Sequence, residues 1–182
     1  MSTDSLIGRL VAGFSRAGSS PKEVKATTAI ARIRDGLAAY EATGARLSTP
    51  LFLTLLAEAL AFVGKIDEGL AALDDALATA AASGERGWDA EIHRLRGDLT
   101  ARLPHPDPAK AEDSFRTALA IAREQGTRGY ELRAATSLAR LWGEQGRHGE
   151  ARELLAPVYG SFTEGLDTPD LKEAKALLDE LT

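Results

Sequence analysis

The 182-residue sequence has no cysteine, no excess of positive charge and no long hydrophobic run. Without cysteine the chain cannot form a disulfide, a thiolate metal site or a cysteine nucleophile, which fits a reducing, cytoplasmic location. The net charge of -5 argues against nucleic acid and anionic lipid as main partners. The first apolar run, Leu6 to Phe14, is interrupted by Gly8, Arg9 and Gly13 and is too short to span a membrane. We therefore expect neither a secretory signal nor a membrane anchor.

Sequence signatures of catalysis are missing as well. The chain has no phosphate-binding G-x-x-x-x-G-K-[ST] loop and no G-x-S-x-G nucleophile elbow. Asp89 and His93 are one helical turn apart and could offer two metal ligands, but no third ligand is apparent. A helix-stabilising contact is the simpler interpretation of that pair. We therefore predict a protein without enzymatic activity, cofactor or metal site.

What the sequence does contain is a helical hairpin at 135–159. Apolar residues recur at helical spacing up to Trp142, Gly146 interrupts the pattern, and the same spacing then resumes. Small residues at Ala139 and Ala151 allow the two helices to approach closely. Such a pair of helices is typical of a tetratricopeptide repeat.

The same pattern recurs at intervals of about 40 residues, which is the mark of a repeat protein. The second helix of each copy carries a small residue: Ala29, Gly69, Ala111 and Ala151. A large apolar residue follows one turn later: Ile33, Leu73, Phe115 and Leu155. A glycine then stops the helix: Gly44, Gly84, Gly126 and Gly165. A proline-rich insertion at 103–108 lengthens the third copy.

These repeats predict an all-α fold, a tetratricopeptide-like right-handed α-solenoid of about four helical hairpins plus a C-terminal capping helix. We expect residues 1–182 to form a single repeat domain. The predicted hairpins are at about 4–43, 49–83, 88–125 and 129–164, and the predicted capping helix is at 169–181.

Four Ser-Pro, Thr-Pro or Asp-Pro pairs are predicted to cap helix starts. They are Ser20-Pro21, Thr49-Pro50, Asp107-Pro108 and Thr168-Pro169. The segment 51–63 is apolar nearly all round, so we expect it to pack between neighbouring helices. In contrast, the spacing of apolar residues in 4–17 predicts an amphipathic helix with these residues on one face.

Four segments carry a resemblance to a known family: Asp89–Leu99, Ala118–Gly126, Glu131–Leu141 and Leu154–Leu171. They resemble the C-terminal tetratricopeptide region of large bacterial signalling proteins. In those proteins a class III nucleotide cyclase or a DNA-binding output domain is joined to a P-loop ATPase and then to the repeats. This sequence contains no cyclase or ATPase segment. The resemblance therefore implies a regulatory or scaffolding array and does not carry over an enzymatic activity.

Polar residues on the first helix of each pair are the candidates for binding, because packing does not require them and those helices line the concave face of such arrays. The repeat nominates Thr54, Glu58, His93, Arg94, Arg133, Thr136 and Arg140. Guanidinium groups suit carboxylates, including those of acidic peptide segments or a peptide C-terminus. A solvated charged face would explain the same residues.

We therefore predict a protein-interaction or regulatory scaffold module that binds a peptide segment or a partner domain in its groove. Cyclase or ATPase domains are among the expected partners. The alternative is a small-molecule-sensing regulatory domain of a signal-transduction ATPase or cyclase. A homodimer formed through 4–17 or through the proline-rich insertion is a further expectation.

Overall fold

The computed structural model describes residues 21–182, and every regular element in that range is a helix. The helices are α1 (Pro21–Ala42), α2 (Thr49–Phe62), α3 (Ile66–Ser83), α4 (Asp89–Ala101), α5 (Pro108–Glu124), α6 (Arg128–Glu144), α7 (His148–Gly160) and α8 (Pro169–Glu180). The predicted helix at 4–17 and the predicted cap at Ser20 lie outside the described residues. None of the described helices is long and apolar enough to cross a membrane.

The chain divides into two compact units after Trp88. Helices α1 to α3 belong to the first unit, and helices α4 to α8 belong to the second. The single repeat domain expected for 1–182 stays a prediction, and each unit is described by itself below.

In the first unit, α2 packs against both α1 and α3. Leu60 and Leu73 are almost completely buried, and the rings of Tyr40 and Phe52 meet edge to face with centroids 5.9 Å apart. The expected position of α2 between neighbours is therefore confirmed on these two sides. The helix is not covered all round, however, because Phe62 at its end remains 47% exposed.

In the second unit, α4 packs on α5, and α6 contacts α4, α5, α7 and α8. Phe115 on α5, Leu138 on α6 and Leu155 on α7 are fully buried in one hydrophobic core. Gly97 on α4 lies directly against the ring of Phe115, so a smaller residue on one helix makes room for a larger one on the next.

The predicted repeat is confirmed at its small residues, whereas Ile33, one of its large apolar residues, is only partly buried. The small residues Ala29, Gly69, Ala111 and Ala151 are all buried. The predicted stop glycines have positive φ angles, and Gly84 at φ 75 ends α3 in the left-handed conformation that glycine adopts without steric cost. The hydrophobic spacing and the glycines therefore locate the ends of α1, α3 and α5, whereas α7 ends five residues before Gly165.

Two of the predicted helix caps are not found. Asp107 does cap α5, by accepting a hydrogen bond from the Lys110 amide. The side chain of Thr168, however, makes no capping hydrogen bond to α8. Helix α2 begins at Thr49 itself, and the amide of Ser48 is instead bound by the carboxylate of Glu85 at 2.7 Å. Glu85, in the loop after α3, thus binds the backbone just before α2, where the sequence predicts a cap by the side chain of Thr49.

Helix α7 ends at Gly160 rather than near 164. The hydroxyl of Ser161 donates to the carbonyl of Val158 at 2.7 Å and so occupies an acceptor at the helix end. A side chain that bonds the local backbone in this way competes with continuation of the helix. The capping helix α8 follows close to its predicted bounds.

Trp142, in the hairpin at 135–159, has two arginines over its ring. The guanidinium carbons of Arg116 and Arg147 lie 5.1 and 4.5 Å from the ring centroid. Both arginines also pair with Glu112, at 2.8 and 3.0 Å. Burial acts to raise the pKa of Glu112, but the hydrogen bonds from these arginines outweigh it and hold that pKa below its ordinary value.

Candidate functional site

The second unit brings Arg94 and Arg133 together on one carboxylate, that of Glu91. Arg94 binds both oxygens of Glu91, with its Nη2 2.7 Å from Oε1 and its Nε 3.0 Å from Oε2. Arg133 reaches across from α6 and places its Nη2 3.0 Å from the same Oε1. Glu91 is 1% exposed. The two guanidinium groups are therefore joined to a buried internal anion.

Asp98 and Ser137 complete this group, which we call the Glu91 cluster (Glu91, Arg94, Asp98, Arg133 and Ser137). Arg94 also donates to the carboxylate of Asp98, and its Nη1 lies 3.4 Å from the hydroxyl of Ser137 on α6. The cluster contains two acidic and two basic side chains, so its charges balance when all are ionised. It joins two first helices through ion pairs and hydrogen bonds.

Burial dominates the electrostatics around the cluster. The pKa of Asp98 is raised by burial and by the negative charge of Glu91, against the opposing effect of Arg94 and Arg140. The pKa of the Tyr130 hydroxyl is likewise raised by burial and by Glu91. The geometry shows a gradient in solvation, because the side chain of Glu91 is 1% exposed and that of Asp98 is 33% exposed.

Arg140 lies on the same helix as Arg133 but in a different environment. Its Nη2 is 2.7 Å from Oε1 of Glu173 on α8, and the two side chains are 43% and 48% exposed. A solvent-exposed ion pair of this kind contributes little net stability and exchanges readily with other ions. Among the nominated arginines, Arg140 has the guanidinium group most accessible to a partner.

The two nominated threonines bond to their own helices. The hydroxyl of Thr54 donates to the carbonyl of Pro50 at 2.6 Å, and that of Thr136 donates to the carbonyl of Leu132 at 2.8 Å. Both side chains are buried. These hydrogen bonds account for the polar groups at these positions without a ligand.

The remaining nominated residues are partly buried and lie apart in the sequence. Glu58 is on α2 in the first unit, and His93 is on α4 in the second. Asp89, the neighbour of His93 considered as a metal ligand, is 3% exposed. No group of three His, Cys, Asp or Glu side chains that could hold a metal ion occurs within 21–182.

Sequence reasoning missed Glu91, Asp98 and Ser137. A signal was available for two of them, because Glu91 and Asp98 stand three residues before and four residues after Arg94, which is the spacing of ion pairs on one helix. Ser137 has no such signal, since its contact with Arg94 spans 43 residues. Helical spacing therefore detects pairs within a helix but not the pairing of helices.

Comparisons with known proteins show a relative in sequence and solved structures with a similar fold. No family model matches the chain. An uncharacterized protein of Rhizobium meliloti (strain 1021) is 33% identical over 111 residues, or 61% of this chain. The chain spans only 11% of the length of that relative.

One solved structure contains the nearly identical TPR-like repeats of a candidate kinesin light chain from Podospora anserina. It matches with a TM-score of 0.67 over 97% of this chain and 82% of that one, at 18% identity. At that identity the likeness concerns the fold alone. The predicted all-α, tetratricopeptide-like helical-repeat fold of the α-solenoid class is confirmed.

Proposed function

We propose that the protein is an interaction module whose second unit binds a carboxylate-bearing segment of a partner protein. The binding surface is the side of α6 that carries Arg140, together with the adjoining Glu173 of α8. The observation that carries this proposal is the exposure of the Arg140–Glu173 ion pair, at 43% and 48%. A guanidinium group in that position can exchange one carboxylate for another.

Arg94 and Arg133 have a supporting role in this proposal. Their side chains are only 10% and 11% exposed and already hold Glu91. Moving either guanidinium to an external ligand would leave a buried carboxylate with fewer partners, which is energetically expensive. These two arginines therefore fix α4 against α6. This contact between the helices in turn sets the position of Arg140 on α6.

Glu173 acts as an internal competitor for the incoming carboxylate. Its Oε1 occupies the guanidinium at 2.7 Å, so a ligand must displace it. Removing its charge should therefore strengthen binding, whereas removing Arg140 should weaken it. This opposite response of two adjacent residues distinguishes a specific site from general attraction to a charged surface.

The finer predictions from the sequence remain part of this proposal. His93, half-buried on α4 of the second unit, is proposed as a secondary contact for the partner, whereas Thr54 and Glu58 lie in the first unit and stay predictions. Association with cyclase or ATPase domains, small-molecule sensing and formation of a homodimer rest on the sequence alone and stay predictions. We propose no role in binding nucleic acid or membranes, in keeping with the net charge of -5.

The test measures fluorescence anisotropy of a labelled hexaglutamate peptide at low salt with the full chain. We expect Arg140→Ala to weaken binding about tenfold, the loss of one charge-assisted contact, and Glu173→Gln to strengthen it. Arg34 and Glu68 on α1 and α3 form the matched control, because they pair at 2.8 Å with exposures of 51% and 46%. Arg34→Ala and Glu68→Gln should leave binding unchanged. Equal effects of Arg34→Ala and Arg140→Ala would contradict the proposed site.

A further inference from the structure

Asp98 is the charged member of the Glu91 cluster that is most accessible to solvent. Its side chain is 33% exposed, whereas that of Arg94, which donates to its carboxylate, is 10% exposed. A carboxylate can accept about four hydrogen bonds in all, so one contact with a guanidinium group does not fill it. Asp98 can therefore accept a second cationic donor from the solvent side.

Helices α4 and α6 run in the same direction where they meet. Arg133 on α6 contacts Glu91 on α4. One turn later on each helix, Ser137 contacts Arg94. Residues one further turn along the two helices therefore lie close together as well.

Asp98 on α4 and Arg140 on α6 lie on that next turn. Asp98 follows Arg94 by four residues and pairs with it. Arg140 follows Ser137 by three residues, and spacings of three and four residues keep side chains on one face of a helix. The positive charge of Arg140 accordingly acts to lower the pKa of Asp98. A partly exposed carboxylate and an exposed guanidinium group therefore lie beside each other on one surface.

The charge balance of this surface favours a ligand that carries both signs. Arg140 and Glu173 neutralise each other, as do the four charged side chains of the Glu91 cluster. A ligand carboxylate that displaces Glu173 adds one negative charge, because Glu173 stays nearby on α8. The whole chain already has a net charge of -5, which opposes a purely acidic ligand. A cationic group on the same ligand would remove both penalties.

We propose that Asp98 binds the ammonium group of a lysine in the partner segment, beside the carboxylate that Arg140 binds. This inference rests on the function proposed above and narrows the partner to a segment that carries an acidic residue and a lysine on the same side. An added positive charge next to Asp98 also offsets the desolvation of its carboxylate, which is the main cause of its raised pKa. In an extended segment, residues two apart lie on the same side, about 7 Å from each other. The orders Glu-X-Lys and Lys-X-Glu both meet that requirement.

Two labelled peptides test the lysine site by fluorescence anisotropy with the full chain. One peptide contains repeats of Glu-Ser-Lys-Ser and so presents both orders, and the other has glutamine in place of every lysine. Low salt and pH 8 keep lysine charged and favour the ionised form of Asp98. One variant is Asp98→Asn, whose amide oxygen can still accept a hydrogen bond from Arg94. The matched control is Asp113→Asn, which removes a negative charge at an exposed position of α5.

We expect the wild-type chain to bind the lysine peptide about fivefold more tightly than the glutamine peptide, the upper end of the range for a single exposed ion pair. Asp98→Asn should lose most of this preference, because it removes the charge that holds the ammonium group. Asp113→Asn should keep it. A general attraction of the acidic chain for lysine would respond equally to both changes.

Equal affinities of the wild-type chain for the two peptides would overturn the lysine site. A preference that survives in Asp98→Asn would overturn it too, and so would equal losses in Asp98→Asn and Asp113→Asn. Arg140→Ala separates these outcomes from a failure of the proposed function. If it weakens the binding of both peptides while the lysine preference is absent, the carboxylate site stands and only the lysine site falls. If it weakens the binding of neither peptide, the proposed function falls and the lysine site falls with it.

Discussion

The two units use equivalent helix positions in opposite ways. In the second unit, Arg133 and Ser137 of α6 belong to the Glu91 cluster and contact α4. In the first unit, the corresponding residues of α2 are Leu51 and Leu55, which are partly buried. A helical repeat thus tolerates either chemistry at the same place, provided that charges are paired and apolar surface is covered. A polar residue at such a position is therefore no sign of ligand binding by itself.

The largest expected effect on stability comes from removing Glu91, the carboxylate at the centre of the Glu91 cluster. Glu91→Ala leaves the guanidinium groups of Arg94 and Arg133 without their shared carboxylate in a buried place. We expect a loss of about 3–5 kcal/mol in the free energy of unfolding, measured by urea denaturation.

The control replaces the whole charged group by apolar residues. Glu91→Leu combined with Arg94→Met, Arg133→Leu and Asp98→Asn should recover much of the loss, because none of the four charges of the cluster is then left unpaired. A Glu91→Ala variant as stable as the wild type would show that the cluster does not hold α4 to α6.

Glycine substitutions compare packing in the two units. A Cβ added at Gly97 would lie 2.5–2.9 Å from ring atoms of the buried Phe115, so Gly97→Ala should cost about 1–3 kcal/mol. The matched change in the first unit is Gly36→Ala on α1, where an added Cβ would come within 4 Å of no other side chain or helix. Because alanine favours a helix over glycine, that variant should gain about 0.5–1 kcal/mol. Calorimetry that finds Gly97→Ala stabilising would refute the close contact of α4 and α5.

The free energy of unfolding should also depend on pH through Asp98 of the Glu91 cluster. Its pKa is raised in the folded state, mainly by burial, so ionised Asp98 lowers stability at neutral pH and this effect disappears as the pH falls through the folded pKa. Asp98→Asn should therefore be more stable than the wild type at pH 7, with a gap that narrows as the pH falls through the folded pKa of Asp98. Urea titrations at several pH values measure this gap, and a constant gap would argue against the raised pKa.

The smallest expected effect on stability is at the exposed pair. Arg140→Ala removes a contact between side chains that are 43% and 48% exposed, so it should change the free energy of unfolding by less than about 0.5 kcal/mol. A loss of several kcal/mol, measured in the same urea titration, would place Arg140 in the structural core and remove it as a binding residue.

Much of the fold could be predicted from the sequence because its determinants are local. Helical spacing, buried small residues such as Ala111 and Ala151, and stop glycines such as Gly84 each act within one hairpin. The end of α7 was predicted too late, because the hydrogen bond of Ser161 to the backbone leaves no mark in hydrophobic spacing.

The candidate site could be predicted only in part. Helical spacing nominated Arg94, Arg133 and Arg140 alike as groove residues, although the side chains of Arg94 and Arg133 are nearly buried. Their difference depends on what the neighbouring helix offers: Glu91 is buried between two arginines, whereas Glu173 is exposed beside one. Burial of a carboxylate is a property of packed helices, so no pattern within a single helix could reveal it.

Arg133 holds α4 against α6, whereas Arg140 is proposed to bind a partner. Double-mutant cycles in urea denaturation test this difference directly, with alanine at Arg133 and Glu91 in one cycle and at Arg140 and Glu173 in the other. We expect a coupling free energy above about 2 kcal/mol for the first pair and below about 0.5 kcal/mol for the second. Equal coupling free energies in the two cycles would contradict the proposed difference between Arg133 and Arg140.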